Sequence, residues 1–442
     1  RALVSLVVIA SSKFRSLPLH SASHNDNALN ITGNTVEVRD KLRELVGAST
    51  NWSDHIQAMK DRVSLSSLLA ARQEDLPPRR MKDSHIEVLL PLGSQPLIRE
   101  KYLNVHNFVR CNRFGRILED LDSLGVCLYY LLCYGKKKTN DSKLSPLSGI
   151  VYKKKNKTNM RKNVIYPDRD VKFTGNVTWA GKTSMEITIH MFQYHDGACS
   201  PVLEATFVMV ARDPENKKAA FVNPLIPEGP EEEALFQRGE MNKKRRVETG
   251  SASLLKMAPT QEERNVIHNI FLNTLDTKYV RLKHAALLLL NLYLAKINSE
   301  LLSLRNPTER NIFNRIFGGF LMRKAYELGW ANACTYGGSR PYLVAVDDIM
   351  FRKPVEVGSL LYLSSQICYT TENYIQVRVH TEVCDPGTGQ HATTNVFHFT
   401  FCSEKEIPQI IPKTYGESML YLDGKRHFDA VVKAMLPQNH TK

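Results

Sequence analysis

Apolar positions along this chain follow two rhythms, and the order of the rhythms repeats. After Gly115 the apolar residues step by three and four. Ile117, Leu118, Leu121 and Leu124 fall on one face of a helix that starts at the glycine. Alternation by two then predicts strands over 170–174, 183–193 and 202–211. The second passage predicts a helix from Gly318 to about Cys334, then strands over 342–351, 360–369, 374–383 and 393–401. In 374–383, Ile375, Val377 and Val379 alternate with Gln376, Arg378 and His380, and Asp385 to Gly389 reads as a turn. One long helix followed by antiparallel strands, twice over, predicts an α+β fold from a duplicated unit, each sheet wrapping its own helix.

Upstream, residues 36–80 read as helical until Pro77 and Pro78 stop them, and 84–92 alternate as a strand. Pro224, Pro227 and Pro230 lead into a short helix around Leu235. Two segments break the repeat. Residues 136–163 are rich in Lys and Asn and stand where the first passage needs a counterpart of 342–351; only 146–151 resembles a strand there. Residues 280–304 read as a leucine-rich helix where the second sheet should open with a strand. The division that follows is a targeting segment and linker at 1–35, a helical extension at 36–83, a first domain at 84–250 with the 136–163 insertion, a second domain at 251–427 and a tail at 428–442.

The net charge of +14 over 442 residues suggests a nucleic-acid partner until it is located. Residues 136–163 carry about +9 and the first 25 residues about +3, which leaves roughly +2 for the rest. The repeats are nearly neutral, and nucleic acid is not an expected partner. The run Lys243 to Arg246 reads as a solvated helix end. The eight cysteines are scattered, and Cys127, Cys334 and Cys368 lie in apolar stretches, which favours reduced core thiols. No Cys/His group has metal-ligand spacing, so no metal is expected. The acid-free, Ser-, Lys- and Arg-bearing start resembles an organelle transit peptide and points to the mitochondrial matrix. The most apolar run, Ala285 to Ala295, is too short to cross a bilayer, so stable membrane insertion is not expected.

Gly318 and Gly319 open a helix, where free N–H groups and the positive dipole end attract negative charge and the missing Cβ admits a ligand. Tight helix–sheet packing would explain the same glycines. Asp122 stands seven residues after Gly115 and can project from one helical face as an acid–base group; it can equally be a solvated helix carboxylate, the reading given to Glu119 and Asp120.

The phrase F-G-G-x-L-M, with Asn311 ahead of it and D-D-I-x-F-x-x-P-V-x-V-G-S behind it, resembles the double-hotdog acyl-coenzyme A thioesterases. So do P-P-R-R-M-K-D-S, F-G-R-I-L-E-D-L-D-S-L-G, E-R-N-I-F-N-R-I-F-G-G-F-L-M-R-K-A-Y-E-L and K-T-Y-G-E-S-M-L-Y-L-D-G. The likeness spans about 36–130, 164–279 and 305–427. It implies a tandem hotdog that hydrolyses acyl-CoA to fatty acid and coenzyme A without a cofactor and assembles into homo-oligomers. It assigns Asp122 the role of base or nucleophile. Asn311, with Asn314 as a nearby substitute, would orient water or the carbonyl, and Gly318 and Gly319 would polarise the carbonyl. Repeat two carries Tyr326 where repeat one has Asp122. Its next acid, Glu327, lies roughly 100° further around the helix and marks a weaker second site. Arg116 stands where repeat one might have a second glycine, with Asn107 or Asn112 as its amide. Arg310, Arg315, Arg340 and Lys353 are candidates for the coenzyme A phosphates. Leu118, Leu121, Leu321 and Met322 would line an acyl channel or belong to the core. A dehydratase reading wants a histidine near the helices, and they have none. A non-enzymatic acyl-CoA-binding or scaffold protein with a degenerate site is the alternative.

Overall fold

A computed structural model of the chain describes residues 7–9, 60, 69–106, 109–112, 114–134, 165–166, 168–195, 198–213, 218–254, 256–276, 281–282, 297–298, 302–303, 316, 318–351, 353–356, 359–385 and 387–435. Strand β1 is Val7–Ile9 and β2 is Ile86–Leu90; helix α1 is Phe114–Tyr134. Strands β3, β4 and β5 are Val171–Ala180, Ser184–His195 and Ala198–Val210. Helices α2 and α3 are Gly229–Ser251 and Gln261–Thr274. The second unit holds α4 (Gly318–Gly337), β6 (Tyr342–Phe351), β7 (Leu360–Thr371), β8 (Tyr374–Cys384), β9 (His391–Cys402) and α5 (Tyr415–Met435).

The long strands form one antiparallel sheet in the order β7-β8-β9-β6-β1-β5-β4-β3-β2. The period-two pattern decides which face each strand buries: in β2, Ile86, Val88 and Leu90 point inward while Glu87 and Leu89 face out. The inner faces enclose α1 and α4, whose apolar residues join those of both sheets in one continuous core. Each unit is thus a central helix wrapped by an antiparallel sheet, the hotdog arrangement that the resemblance implies. Tyr326 of α4 rests on Phe399 and Phe401 of β9, with ring centroids 5.9 and 6.0 Å away.

The outer faces are covered as well. Helix α2 lies on domain 1, where Arg246 pairs with Glu186 at 2.9 Å and the Trp179 indole donates to Glu240. Helix α5 lies on domain 2, and its Arg426 forms a two-pronged pair with Glu263 of α3. Arg246 is therefore buried and not part of a solvated end: the Lys243 to Arg246 run continues a helix of 23 residues instead of ending a short one. Helix α5 runs to Met435 and buries Phe428 and Val431, so the fold continues past the expected tail boundary at 427.

Most of the leucine-rich stretch 280–304, including 283–296, lies outside the described residues. Its described residues include strand pieces at Ile297–Asn298 and Leu302–Ser303, both paired with the edge of β7. They take the place that β2 takes in domain 1. Val7–Ile9, within the expected targeting segment, pairs with both β5 and β6. It occupies in domain 1 the position that β6 occupies in domain 2. The insertion 136–163, most of 1–68 and the tail beyond 435 lie outside the described residues.

Candidate active site between the two central helices

Helices α1 and α4 pack antiparallel, and their closest approach is made by glycines. A Cβ on Gly319 would lie 2.8 Å from Asp122 Oδ2, 2.9 Å from Asp122 Cβ and 3.0 Å from the Glu119 Cα. A Cβ on Gly115 would lie 2.9 Å from Arg323 Cγ and 3.4 Å from a ring carbon of Tyr326. Each glycine meets the residue seven positions along the other copy's helix, since Asp122 follows Gly115 by seven and Tyr326 follows Gly319 by seven. Gly115 therefore corresponds to Gly319 and Phe114 to Gly318. This corrects the expectation that Arg116 stands in the place of a second glycine.

At the first crossing, the Gly319 N–H donates to Asp122 Oδ2 at 2.6 Å. Asp122 is 1% exposed. A buried carboxylate thus sits on an N–H at the open end of a 20-residue helix, where the dipole holds negative charge. At the second crossing no acid stands on the corresponding helix end among the described residues. Tyr326 fills the position and packs on Phe114 with centroids 5.6 Å apart. Between the crossings Glu119 pairs with Arg323 at 3.3 Å and with Arg116 at 3.2 Å, joining the two helices near the pseudo-twofold axis.

Glu119 and Asp120 are both buried, against the solvated reading given to them. Asp120 accepts the Tyr102 hydroxyl, and Glu119 is covered by α4. A single-helix pattern could not show this, because their cover comes from other elements, α4 for Glu119 and Tyr102 for Asp120. Glu327 is exposed, pairs with Lys324 at 3.6 Å and does not join Asp122. Asn311, Asn314, Asn107, Arg310 and Arg315 lie outside the described residues, as does the Asn112 side chain. Arg340 and Lys353 are exposed. Leu118, Leu121, Leu321 and Met322 are fully buried in the common core. The seven cysteines with described side chains are free, and five are buried.

Comparison with known proteins gives close relatives. The chain is 64% identical to a mitochondrial acyl-coenzyme A thioesterase 9 of Bos taurus over 395 residues, covering 89% of each chain. It is 63% identical to the Homo sapiens protein of that name, covering 89% of this chain and 88% of the relative. A mitochondrial acyl-coenzyme A thioesterase 10 of Mus musculus is 58% identical with the same coverage. An acyl-CoA hydrolase structure from Staphylococcus aureus overlays 31% of this chain and 87% of its own, with 20% identity and a TM-score of 0.30. No protein-family model matches the chain.

Proposed function

Because the chain belongs to the acyl-coenzyme A thioesterase family, we propose that it hydrolyses acyl-CoA at the α1–α4 crossing, with Asp122 as the reacting carboxylate. The observation that carries this is the 2.6 Å contact between the buried Asp122 and the Gly319 N–H. Hydrolysis needs a donor where the thioester oxygen gains charge and a base or nucleophile beside the carbonyl carbon. Both are supplied here by opposite helices. The thioester oxygen is assigned the helix-end N–H groups at Gly318 and Gly319, with Gly319 exchanging its bond to Asp122 Oδ2 for one to that oxygen when substrate binds. Asp122 then removes a proton from water as the hydroxyl bonds to the carbonyl carbon, or bonds to that carbon itself. Collapse of the tetrahedral adduct breaks the C–S bond. In the general-base path the departing thiolate of coenzyme A takes up the proton that Asp122 removed from water. In the nucleophilic path water hydrolyses the Asp122–acyl anhydride left behind, restoring the carboxylate and supplying the proton for the thiolate.

Asn311 is assigned the orienting amide, with Asn314 as its substitute. The second crossing holds Tyr326 where the first holds a carboxylate, so we assign one reacting site per chain, and Glu327 takes no part. The chemistry moves one proton and one acyl group, which calls for no cofactor. The reading as a non-enzymatic acyl-CoA-binding or scaffold protein is set aside, since relatives 58–64% identical are named as thioesterases. The protein is mitochondrial, as those relatives are; its acid-free, Ser- and Arg/Lys-bearing start favours the matrix. The family resemblance supports homo-oligomeric assembly. The test is thiol release from a panel of saturated acyl-CoA chain lengths by the purified protein. Release from at least one length is expected, and none from any length overturns the proposal.

A further inference from the structure

On the outer face of the second sheet, three elements bring two histidines and two aspartates together. In β9, Phe397, Phe399 and Phe401 turn inward to the core, so His398 between them turns outward, beneath α5. Asp347 of β6 stands directly across from His398 in the ladder. From α5 come Asp423 and His427, four residues apart and hence on one helical face. His398 Nε2 lies 3.7 Å from Asp423 Oδ2, and His427 Nε2 lies 4.0 Å from Asp423 Oδ1. One ligand atom from each of His398, Asp423 and His427 falls within 4.8 Å of the others. His427 Nδ1 bonds Asp347 Oδ2 at 2.7 Å. Asp347 is buried, whereas the Asp423 side chain is 35% exposed and gives the group a path to solvent.

Two properties of this group distinguish it from an ordinary ion pair. The first is orientation. A carboxylate on Nδ1 fixes the tautomer that leaves Nε2 as a lone-pair donor, which is how metal-binding imidazoles are commonly held. The second is charge. With both imidazoles neutral, Asp347 and Asp423 contribute two negative charges to a poorly solvated pocket. Arg378, across from His398 on β8, offsets part of that charge. The α5 cations beside the group bond other carboxylates, Lys425 to Asp429 and Arg426 to Glu263, while Arg426 also attracts Asp423 through space. A bound cation would add to that compensation.

We propose that His398, Asp423 and His427 form a binding site for a divalent late transition ion, Zn²⁺ by its donor set, which fastens α5 to the second sheet. Two imidazoles and a carboxylate with an open fourth position suit Zn²⁺ and tetrahedral ions like it. Zn–N and Zn–O bonds near 2.1 Å require donors roughly 3.4 Å apart, so the three donor atoms, which lie within 4.8 Å of one another, close by up to about 1.4 Å on binding. The imidazoles are stacked, with centroids 3.7 Å apart and planes 17° from parallel. Binding turns one ring so that both lone pairs converge. The site lies across the sheet from α4 and Asp122, so its role is structural.

The test uses the full chain, stripped with a chelator, dialysed and titrated with Co²⁺ and then Zn²⁺. Visible Co²⁺ bands of tetrahedral intensity, saturating at one ion per chain and displaced by Zn²⁺, are the expected result. The variant H427Q loses them. D347N keeps the stoichiometry but binds about 10–100-fold more weakly, the usual effect of removing an imidazole's outer carboxylate. If H427Q does not fold, D423N decides, since its side chain is partly exposed; it should weaken binding at least tenfold. Wild-type protein with no such bands overturns the proposal, as does binding unchanged in both H427Q and D423N. In either case the group is an ion-pair clamp and not a metal site.

Discussion

Replacing Asp122 by Asn tests the assigned chemistry with the smallest change in shape. The amide oxygen can still accept the Gly319 N–H now 2.6 Å from Oδ2, so the helix end keeps its partner. A charge-assisted hydrogen bond becomes a neutral one, a loss of about 1 kcal/mol, and relief from burying a charge at a 1% exposed position opposes that loss. Stability should therefore change little. The rate should change greatly, because an amide can neither take a proton from water nor attack a thioester. General-base catalysis contributes about 10²–10⁴-fold, or about 3–5 kcal/mol of activation free energy at ~1.36 kcal/mol per decade. Thiol release should show kcat down by at least about 100-fold, with KM and the thermal midpoint near wild type. Glu327→Gln is the control: its exposed carboxylate neighbours only Lys324 in its described contacts, so kcat should stay within about threefold. Near-full activity in Asp122→Asn, or a collapse in Glu327→Gln, would refute the assignment.

Three further outcomes follow from the same geometry. Gly319→Ala should cost about 1–3 kcal/mol by overpacking against the Asp122 side chain and the Glu119 backbone and should abolish thiol release; in Gly115→Ala the new methyl meets the Arg323 and Tyr326 side chains, which can yield, and kcat should survive. Arg323→Ala should lower the urea unfolding free energy by about 3 kcal/mol, the low end for a broken buried pair because Arg116 still holds Glu119; a loss under about 0.5 kcal/mol would show the pair to be dispensable. Burial pushes the Glu186 carboxyl up to about 7, against the lowering pull of Arg246 and Asn242. Its folded pKa thus lies above its unfolded one, the folded state holds the extra proton between about pH 4.5 and 7, and stability should fall as pH rises through that window; Glu186→Gln should remove that component from a urea-midpoint profile, and an unaltered profile would reject it.

The sequence made the local structure legible and left the crossings between elements hidden. Strands such as Tyr374–Cys384 and helices opening at Gly115 and Gly318 announce themselves by period, because each buries one face against its own sheet. Glu119, Asp120 and Arg246 mislead for the converse reason. Their cover comes from another element: α4 over Glu119, Tyr102 beside Asp120 and Glu186 beneath Arg246. The His398, Asp423 and His427 group leaves only a faint trace, the four-residue spacing of Asp423 and His427, since its third donor lies on a strand more than twenty residues away.

The duplication explains how one such crossing can be set up for the chemistry proposed for Asp122. When two copies of one helix pack antiparallel about a pseudo-twofold axis, position n of the first meets position n + 7 of the second, and the converse contact arises with it. An unaltered duplicate would present identical pairs at both ends. Here the position seven residues past the glycine is Asp122 in one copy and Tyr326 in the other. One crossing places a carboxylate on a helix N-terminus; the other closes with Phe114 against Tyr326. The Glu119–Arg323 pair shows the same divergence at the midpoint, where two unaltered copies would face each other with like charges and these two attract. A single change of residue type thus does two things at once. It leaves a carboxylate for the proposed reaction at one end only, and it turns the other end to packing of Phe114 on Tyr326.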